Sequence, residues 1–255
     1  MRITPLGLAV LAMVAGGSPH GRAEARTPAQ PVIVELFTAE GCTACPPADA
    51  LLDRLAREQP VAGADILALE LHVDYFDGAV VDPFAQASFG ARQTAYLRAF
   101  GKQGAYTPQL VVDGQREMIG SREREAQDAI AEAARGQRAK VQIARSGDRL
   151  TITVDGLAEL GGSDALDLML AMTEEGLASH ATGGESIGHA GAHGPVVREL
   201  RQVSTVSGGA RGPVQVKDVA VNVDASWRRE NVRAVAFVQR TKTLEIAGAA
   251  VISME

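Results

Sequence analysis

Two cysteines occur in the 255-residue chain, and they stand two residues apart as Cys42-Thr43-Ala44-Cys45. Three chemistries are open to such a pair. It is a dithiol that trades electrons through a reversible disulfide, half of a tetrahedral metal shell that needs ligands from elsewhere, or a short local bridge whose small loop adds little stability. The setting favours the first. A nearly continuous apolar run, VIVELF (32–37), precedes the pair, and Ala48, Leu51, Leu52 and Leu55 follow it at the i, i+3, i+4, i+7 spacing of one helix face. A C-x-x-C between a buried strand and a helix puts its first thiol at the sheet edge, near backbone N–H groups that stabilise a thiolate. Cys42 is then the expected nucleophile and Cys45 the resolving thiol.

Other polar residues bear on that chemistry. Glu35 lies inside the apolar run, where burial raises a carboxyl pKa toward the range of a proton shuttle; the alternative is a strand-edge glutamate reaching solvent. His72 and Asp74 alternate to one face of a second strand-like run, ILALELHVD (66–74), with Tyr75 beside them. His72 either completes a Cys42/Cys45/His72 metal site or is a hydrogen-bonded core histidine. Arg92 sits in a helical stretch and either favours a thiolate or faces solvent. His180, His189 and His193 fall in a Gly-rich loop over 177–195. The i, i+4 spacing of His189 and His193 converges two ligands only on a helix, which so many glycines disfavour, so a solvated loop is expected. Nucleophilic-serine and phosphate-loop motifs are absent.

The elements that position these residues follow from periodicity. After the first strand, the cysteines and their helix come the 66–74 strand and a helical segment at 82–102, broken near Gly90. A strand pair over 108–120 turns at Asp113-Gly114, and a helix spans 121–136. Proline restricts the residue before it, so Cys45 is expected in extended geometry, with the helix opening at Pro46 or Pro47. Past residue 140 the pattern alternates with period two and turns at Ser146-Gly147-Asp148, the signature of antiparallel sheet.

The N-terminus opens MRITPLGLAVLAMVAGG and carries Ala23 and Ala25 in an A-x-A arrangement, which predicts a signal peptide over 1–25 and export to the periplasm or medium. Export places the cysteines where a disulfide persists. No later stretch is apolar enough to span a bilayer, so no membrane span is expected after cleavage. A net charge of −6 and 4% aromatic residues argue against nucleic acid as a partner, since phosphate contacts need a basic footprint and single strands need stacking rings.

The stretches VELFTAEGCTACPPADALLDRL, HVDYFD, ARQ and YTPQLVVDG resemble DUF1223, a family of secreted bacterial thioredoxin-like proteins, and GGESIG and VVREL extend the likeness into the second half. The resemblance implies an α/β thioredoxin-like domain (32–138), followed here by an all-β sandwich-like domain (140–255). It implies a cis Thr107–Pro108 bond facing the dithiol and lending backbone groups to a substrate; the ordinary alternative is a trans proline that starts a strand. It also implies that Glu35 moves protons for Cys45. The Trp-Cys-Gly-Pro-Cys loop of thioredoxins is replaced by Gly41-Cys42-Thr43-Ala44-Cys45, with no aromatic beside the nucleophile.

Together these readings predict an exported thiol–disulfide oxidoreductase that needs no cofactor beyond its own disulfide. Its partner would be a protein or small-molecule thiol or disulfide. The alternatives are a periplasmic metal-binding protein or metallochaperone using Cys42, Cys45 and His72, and a non-catalytic binding module.

Overall fold

The computed structural model describes residues 1, 29–76, 81–180 and 190–255. Residues 2–25 of the expected signal peptide, Asp77 and His189 lie outside the described residues. Chain order begins β1 (Gln30–Thr38), α1 (Pro46–Glu58), β2 (Ala64–His72), α2 (Ala87–Ala99), β3 (Gln109–Val112), β4 (Arg116–Ile119) and α3 (Glu123–Ala133). The second half supplies β5 (Lys140–Ser146), β6 (Arg149–Asp155), β7 (Ala165–Glu174), β8 (Ala178–His180), β9 (Ala190–Ala192), β10 (Val196–Ser207), β11 (Val214–Ala220), β12 (Val232–Arg240) and β13 (Ile246–Ser253). Among the described residues no helix is long and apolar enough to cross a membrane.

Alternation along β1 and β2 sets the layers. Val32, Val34, Leu36, Ile66 and Ala68 pack under α1 and α3 with Leu51, Leu52, Leu55 and Ile130. Ile33, Phe37, Leu69 and Leu71 face the other way, against Phe89 and Tyr96 of α2. In the second half, Leu150, Ile152 and Val154 of β6 pack on Leu166, Leu168 and Leu170 of β7. Asp113 and Gly114, both at positive φ, make the expected turn between β3 and β4. The space beside Gly114 is taken by the Leu244 carbonyl oxygen, 1.9 Å from where a Cβ would stand, so no side chain fits there.

The expectation of a thioredoxin-like α/β domain followed by a β-sandwich is overturned. The protein is mostly β. One eight-stranded mixed sheet runs β13-β12-β7-β10-β2-β1-β3-β4, with a three-stranded sheet, β11-β6-β5, and among the described residues only three short α-helices. The reason lies at the edge of β2. A strand–helix–strand unit leaves that edge with unpaired backbone groups, and the second half covers it. Val196 of β10 pairs parallel with Glu70, and the Glu70 N–H donates to the Pro195 carbonyl at 3.0 Å. β7 and β12 then extend the sheet antiparallel.

Two local expectations also change. The helix at 82–102 starts only at Ala87 and runs unbroken through Gly90. Cys45 is helical (φ −78°, ψ −36°), not extended, because its carbonyl accepts the Ala48 and Asp49 N–H groups that open α1. Pro46 is the first helical residue, where a missing N–H costs nothing.

Candidate functional site

Cys42 and Cys45 are joined by a disulfide at the N-terminus of α1. Backbone N–H groups bind the loop to itself, Cys42 to the Ala39 carbonyl and Cys45 to the Cys42 carbonyl. Cys42 is 5% exposed and Cys45 is fully buried, so the first sulfur is the one nearer solvent. The Thr107–Pro108 peptide is cis, the isomer that the resemblance implied. Pro108 lies close to the first turn of α1: its Cβ and that of Ala48 stand 3.0 and 2.9 Å from where a Gly120 Cβ would be. Phe76 packs on Gly41, and the half-exposed Tyr75 ring stands 5.2 Å from it. The Tyr75 hydroxyl donates to Gln93, whose amide donates to the Tyr106 carbonyl just before Thr107. An aromatic side chain, Phe76 with Tyr75 against it, therefore flanks the dithiol loop, supplied by the residues after β2 and not by the C-x-x-C itself.

Glu35 is buried on the α2 face, and both its oxygens are engaged. Arg92 Nε donates to Oε1 at 2.5 Å, Arg92 Nη2 to Oε2 at 3.1 Å, and the Tyr96 hydroxyl to Oε2. Arg92 Nη1 also reaches Gln239 of β12 at 3.1 Å. The expected solvent-facing reading of Arg92 gives way to a buried ion pair that ties α2, β1 and β12 together.

On the other face, α1 carries Asp49 one turn beyond Cys45. The Thr38 hydroxyl donates to it at 2.6 Å. Burial, with a further push from the nearby Glu70 charge, raises the Asp49 carboxyl to about 7.

Of the two readings of His72, the hydrogen-bonded core histidine is the one found. Its Nε2 stands 3.0 Å from Glu70 Oε1, and its Nδ1 2.8 Å from Asp82 Oδ2. His193 Nδ1 approaches the same Glu70 oxygen at 2.7 Å, while its Nε2 lies 2.9 Å from Glu40 Oε1. The Gly194 N–H donates to Glu70 Oε2 at 2.6 Å. Burial opposes charge on both rings, but the carboxylate hydrogen bonds outweigh it and push His72 up to about 9 and His193 up to about 10. For Glu70, burial is likewise outweighed by its histidine partners, which hold it down to about 2. Among the described residues, His72 converges with these acids and His193 and with neither cysteine. His193 is buried, so the solvated-loop reading of 177–195 fails at its C-terminal end.

These features sit within a known sequence family. The chain belongs to DUF1223. The family model, described as "Protein of unknown function (DUF1223)", matches residues 33–239. No curated protein matches. A crystal structure of a protein from Agrobacterium tumefaciens is similar, with a TM-score of 0.70 and 25% identity over 90% of this chain and 96% of that one. HBP35 of Porphyromonas gingivalis shares the fold, with a TM-score of 0.58 and 17% identity over 89% of this chain and 76% of that one.

In this DUF1223 protein, sequence reasoning missed Asp49, Glu70, Asp82, Glu40 and the burial of His193. One signal was present. Glu70 and His72 stand two apart in the apolar run ILALELH, so both point to one buried face and both require partners.

Proposed function

We propose that the protein is an exported thiol–disulfide oxidoreductase that works through Cys42 and Cys45. The observation that carries the reading is the disulfide at the start of α1, with Pro108 set close to the same helical turn. A structural bridge needs no such neighbour.

In the oxidised protein a substrate thiolate attacks the Cys42 sulfur, the more exposed of the two, and forms a mixed disulfide. The Cys42–Cys45 bond breaks, and Cys45 leaves with the electron pair. A second substrate thiolate then displaces Cys42. Two electrons pass to the protein and the substrate leaves as a disulfide. In reverse, reduced Cys42 attacks a substrate disulfide and Cys45 resolves the mixed species. Thr107 and Pro108 offer backbone groups to the substrate chain. The buried Cys45 sulfur needs a proton when it leaves and must lose one when it attacks. Asp49, one turn along the same helix and hydrogen-bonded to the Thr38 hydroxyl, is the acid we assign to that exchange, its carboxyl being raised to about 7. Glu35 is the less suited group, because Arg92 and Tyr96 already occupy its oxygens. The substrate is a protein or small-molecule thiol or disulfide, met outside the cytoplasm.

The test is a glutathione redox titration, with thiols trapped and counted by mass. A reversible two-electron transition in the range of known oxidoreductases supports the reading. With a disulfide substrate, the Cys45→Ser variant should accumulate a mixed disulfide at Cys42, and Cys42→Ser should be inert. A disulfide that stays closed under strongly reducing buffer, or a fully active Cys42→Ser variant, overturns it.

A further inference from the structure

We propose that Glu70, His72 and His193 are the ligands of a divalent transition-metal ion of the zinc class, at a site separate from the dithiol. Three ligand atoms converge there: Glu70 Oε1, His72 Nε2 and His193 Nδ1 all lie within 4.8 Å of one another, on three buried residues. Two imidazoles and one carboxylate form a set that zinc takes, with a fourth position left for water or another ligand.

The outer nitrogens carry the argument further. Each metal-bound histidine ordinarily donates its other ring N–H to a carboxylate, which fixes the tautomer and aims the free lone pair at the ion. Both rings are placed for that here, by two different acids: His72 Nδ1 faces Asp82 at 2.8 Å, and His193 Nε2 faces Glu40 at 2.9 Å. The inner nitrogens now hydrogen-bond to Glu70 Oε1; with a proton kept on each outer nitrogen, loss of the two inner protons frees both inner lone pairs for the ion. The Gly194 N–H holds the second Glu70 oxygen at 2.6 Å and leaves Oε1 for the ion. Asp82 in turn accepts the Glu40 and Phe84 N–H groups, so its carboxylate is itself held.

Glu40, Glu70 and Asp82 bring three carboxylates to two imidazoles. A divalent ion that displaces the two inner ring protons leaves the net charge of the cluster unchanged, so the buried site takes the ion with no added charge. A tetrahedral ion at ~2.0–2.1 Å from its ligands sets them ~3.3 Å apart, so Glu70 Oε1 withdraws from its present 2.7 and 3.0 Å contacts by about half an ångström. A cleft of about 660 Å³, lined by His193 together with Asp53 and Glu175, gives an approach from solvent. The neighbouring triplet of Glu40, His72 and Asp82 offers one imidazole against two carboxylates, a poorer match for zinc.

Bound there, the ion joins β2 to the segment that leads into β10, and so clamps the two halves of the sheet together.

The experiment uses the chelator-treated full chain with zinc, followed by calorimetry, and with cobalt(II), followed by visible absorption. One equivalent should bind, with ligand-field bands and no thiolate charge-transfer band. The Cys42→Ser/Cys45→Ser double variant should bind unchanged. His193→Gln, which keeps a donor toward Glu40, should weaken binding by a hundredfold or more, and Asp82→Asn by about 10–100-fold. Ring-nitrogen NMR of the unmutated protein needs no variant to fold: zinc should shift His72 Nε2 and His193 Nδ1. Absence of uptake by the unmutated protein overturns the proposal. So does loss of binding in the cysteine double variant, or a shift at His72 Nδ1 in place of Nε2. The thiol titration reads a different pair of residues, so either proposal can fail alone.

Discussion

Glu70 and His193 meet at 2.7 Å across 123 residues of sequence, at the point where β10 joins β2. The carboxylate serves as a bracket between the halves of the chain. One oxygen faces two imidazoles, the other takes the Gly194 N–H, and its own backbone N–H reaches the Pro195 carbonyl. A buried charge so completely partnered tells little about net stability, but removing one partner is costly because it strands the others. Glu70→Ala should therefore lower unfolding stability by roughly 3–5 kcal/mol in urea titrations of chelator-treated protein. A loss below about 1 kcal/mol would show that water replaces the carboxylate and that the seam is held by backbone pairing alone.

Asp49 gives a pH signature. Its folded pKa, about 7, lies above the ordinary value of 3.8 because it is buried near Glu70. Between these values the folded state holds a proton that the unfolded chain has released, so its contribution to stability falls as pH rises through the window. Asp49→Asn removes that penalty. The variant should match the unmutated protein near about pH 4 and gain on it steadily up to about pH 7, as read from urea midpoints. Parallel curves would mean that Asp49 is ionised throughout. In the same variant, release and capture of the Cys45 proton should slow, lowering the exchange rate while the redox midpoint at fixed pH moves less.

Much of the dithiol's setting is legible in the sequence because it is local. The buried strand before Cys42, Pro46 at the first helical position and the Asp113-Gly114 turn all follow from periodicity and backbone preference within a dozen residues. The sheet itself is not legible in this way. Period-two alternation marks β7, β10 and β12 as strands but does not name their neighbours. A single parallel pairing at Val196 decides that they extend β2 and do not close on themselves. His193 is hidden for a related reason: its glycine-rich surroundings signal a loop, and only the uncovered edge of β2 turns that loop inward. The partners of Glu35 and Glu70 are set by tertiary packing over 57 and 123 residues, beyond any local pattern.

Gly120 tests the link between Pro108 and the helix. A Cβ there would lie 2.7 Å from Leu36 Cδ1, 2.9 Å from Ala48 Cβ and 3.0 Å from Pro108 Cβ. Leu36 can rotate, but Ala48 and Pro108 move only with their backbones. Gly120→Ala should cost about 1–3 kcal/mol and force Pro108 apart from the first turn of α1. If the substrate binds along Thr107 and Pro108, exchange with a peptide disulfide should slow more than exchange with a small thiol such as glutathione. An equal effect on both would place the peptide elsewhere.

The Glu35–Arg92 pair separates a structural role from a catalytic one. Arg92→Leu strips the buried Glu35 of its cationic partner and leaves it only the Tyr96 hydroxyl, at an expected cost of about 3–5 kcal/mol. Arg92→Lys should recover only part, because an ammonium cannot meet both Glu35 oxygens and Gln239 at once. Replacing both members, Glu35→Leu with Arg92→Leu, should restore most of the loss, and a double-mutant cycle in urea measures the coupling between them. The folded double variant then answers the chemical question. With Asp49 handling the Cys45 proton, its thiol–disulfide exchange should run at close to the unmutated rate. A large slowing, with the fold intact, would return the proton-transfer role to Glu35 and leave Arg92 and Tyr96 as the groups that tune it.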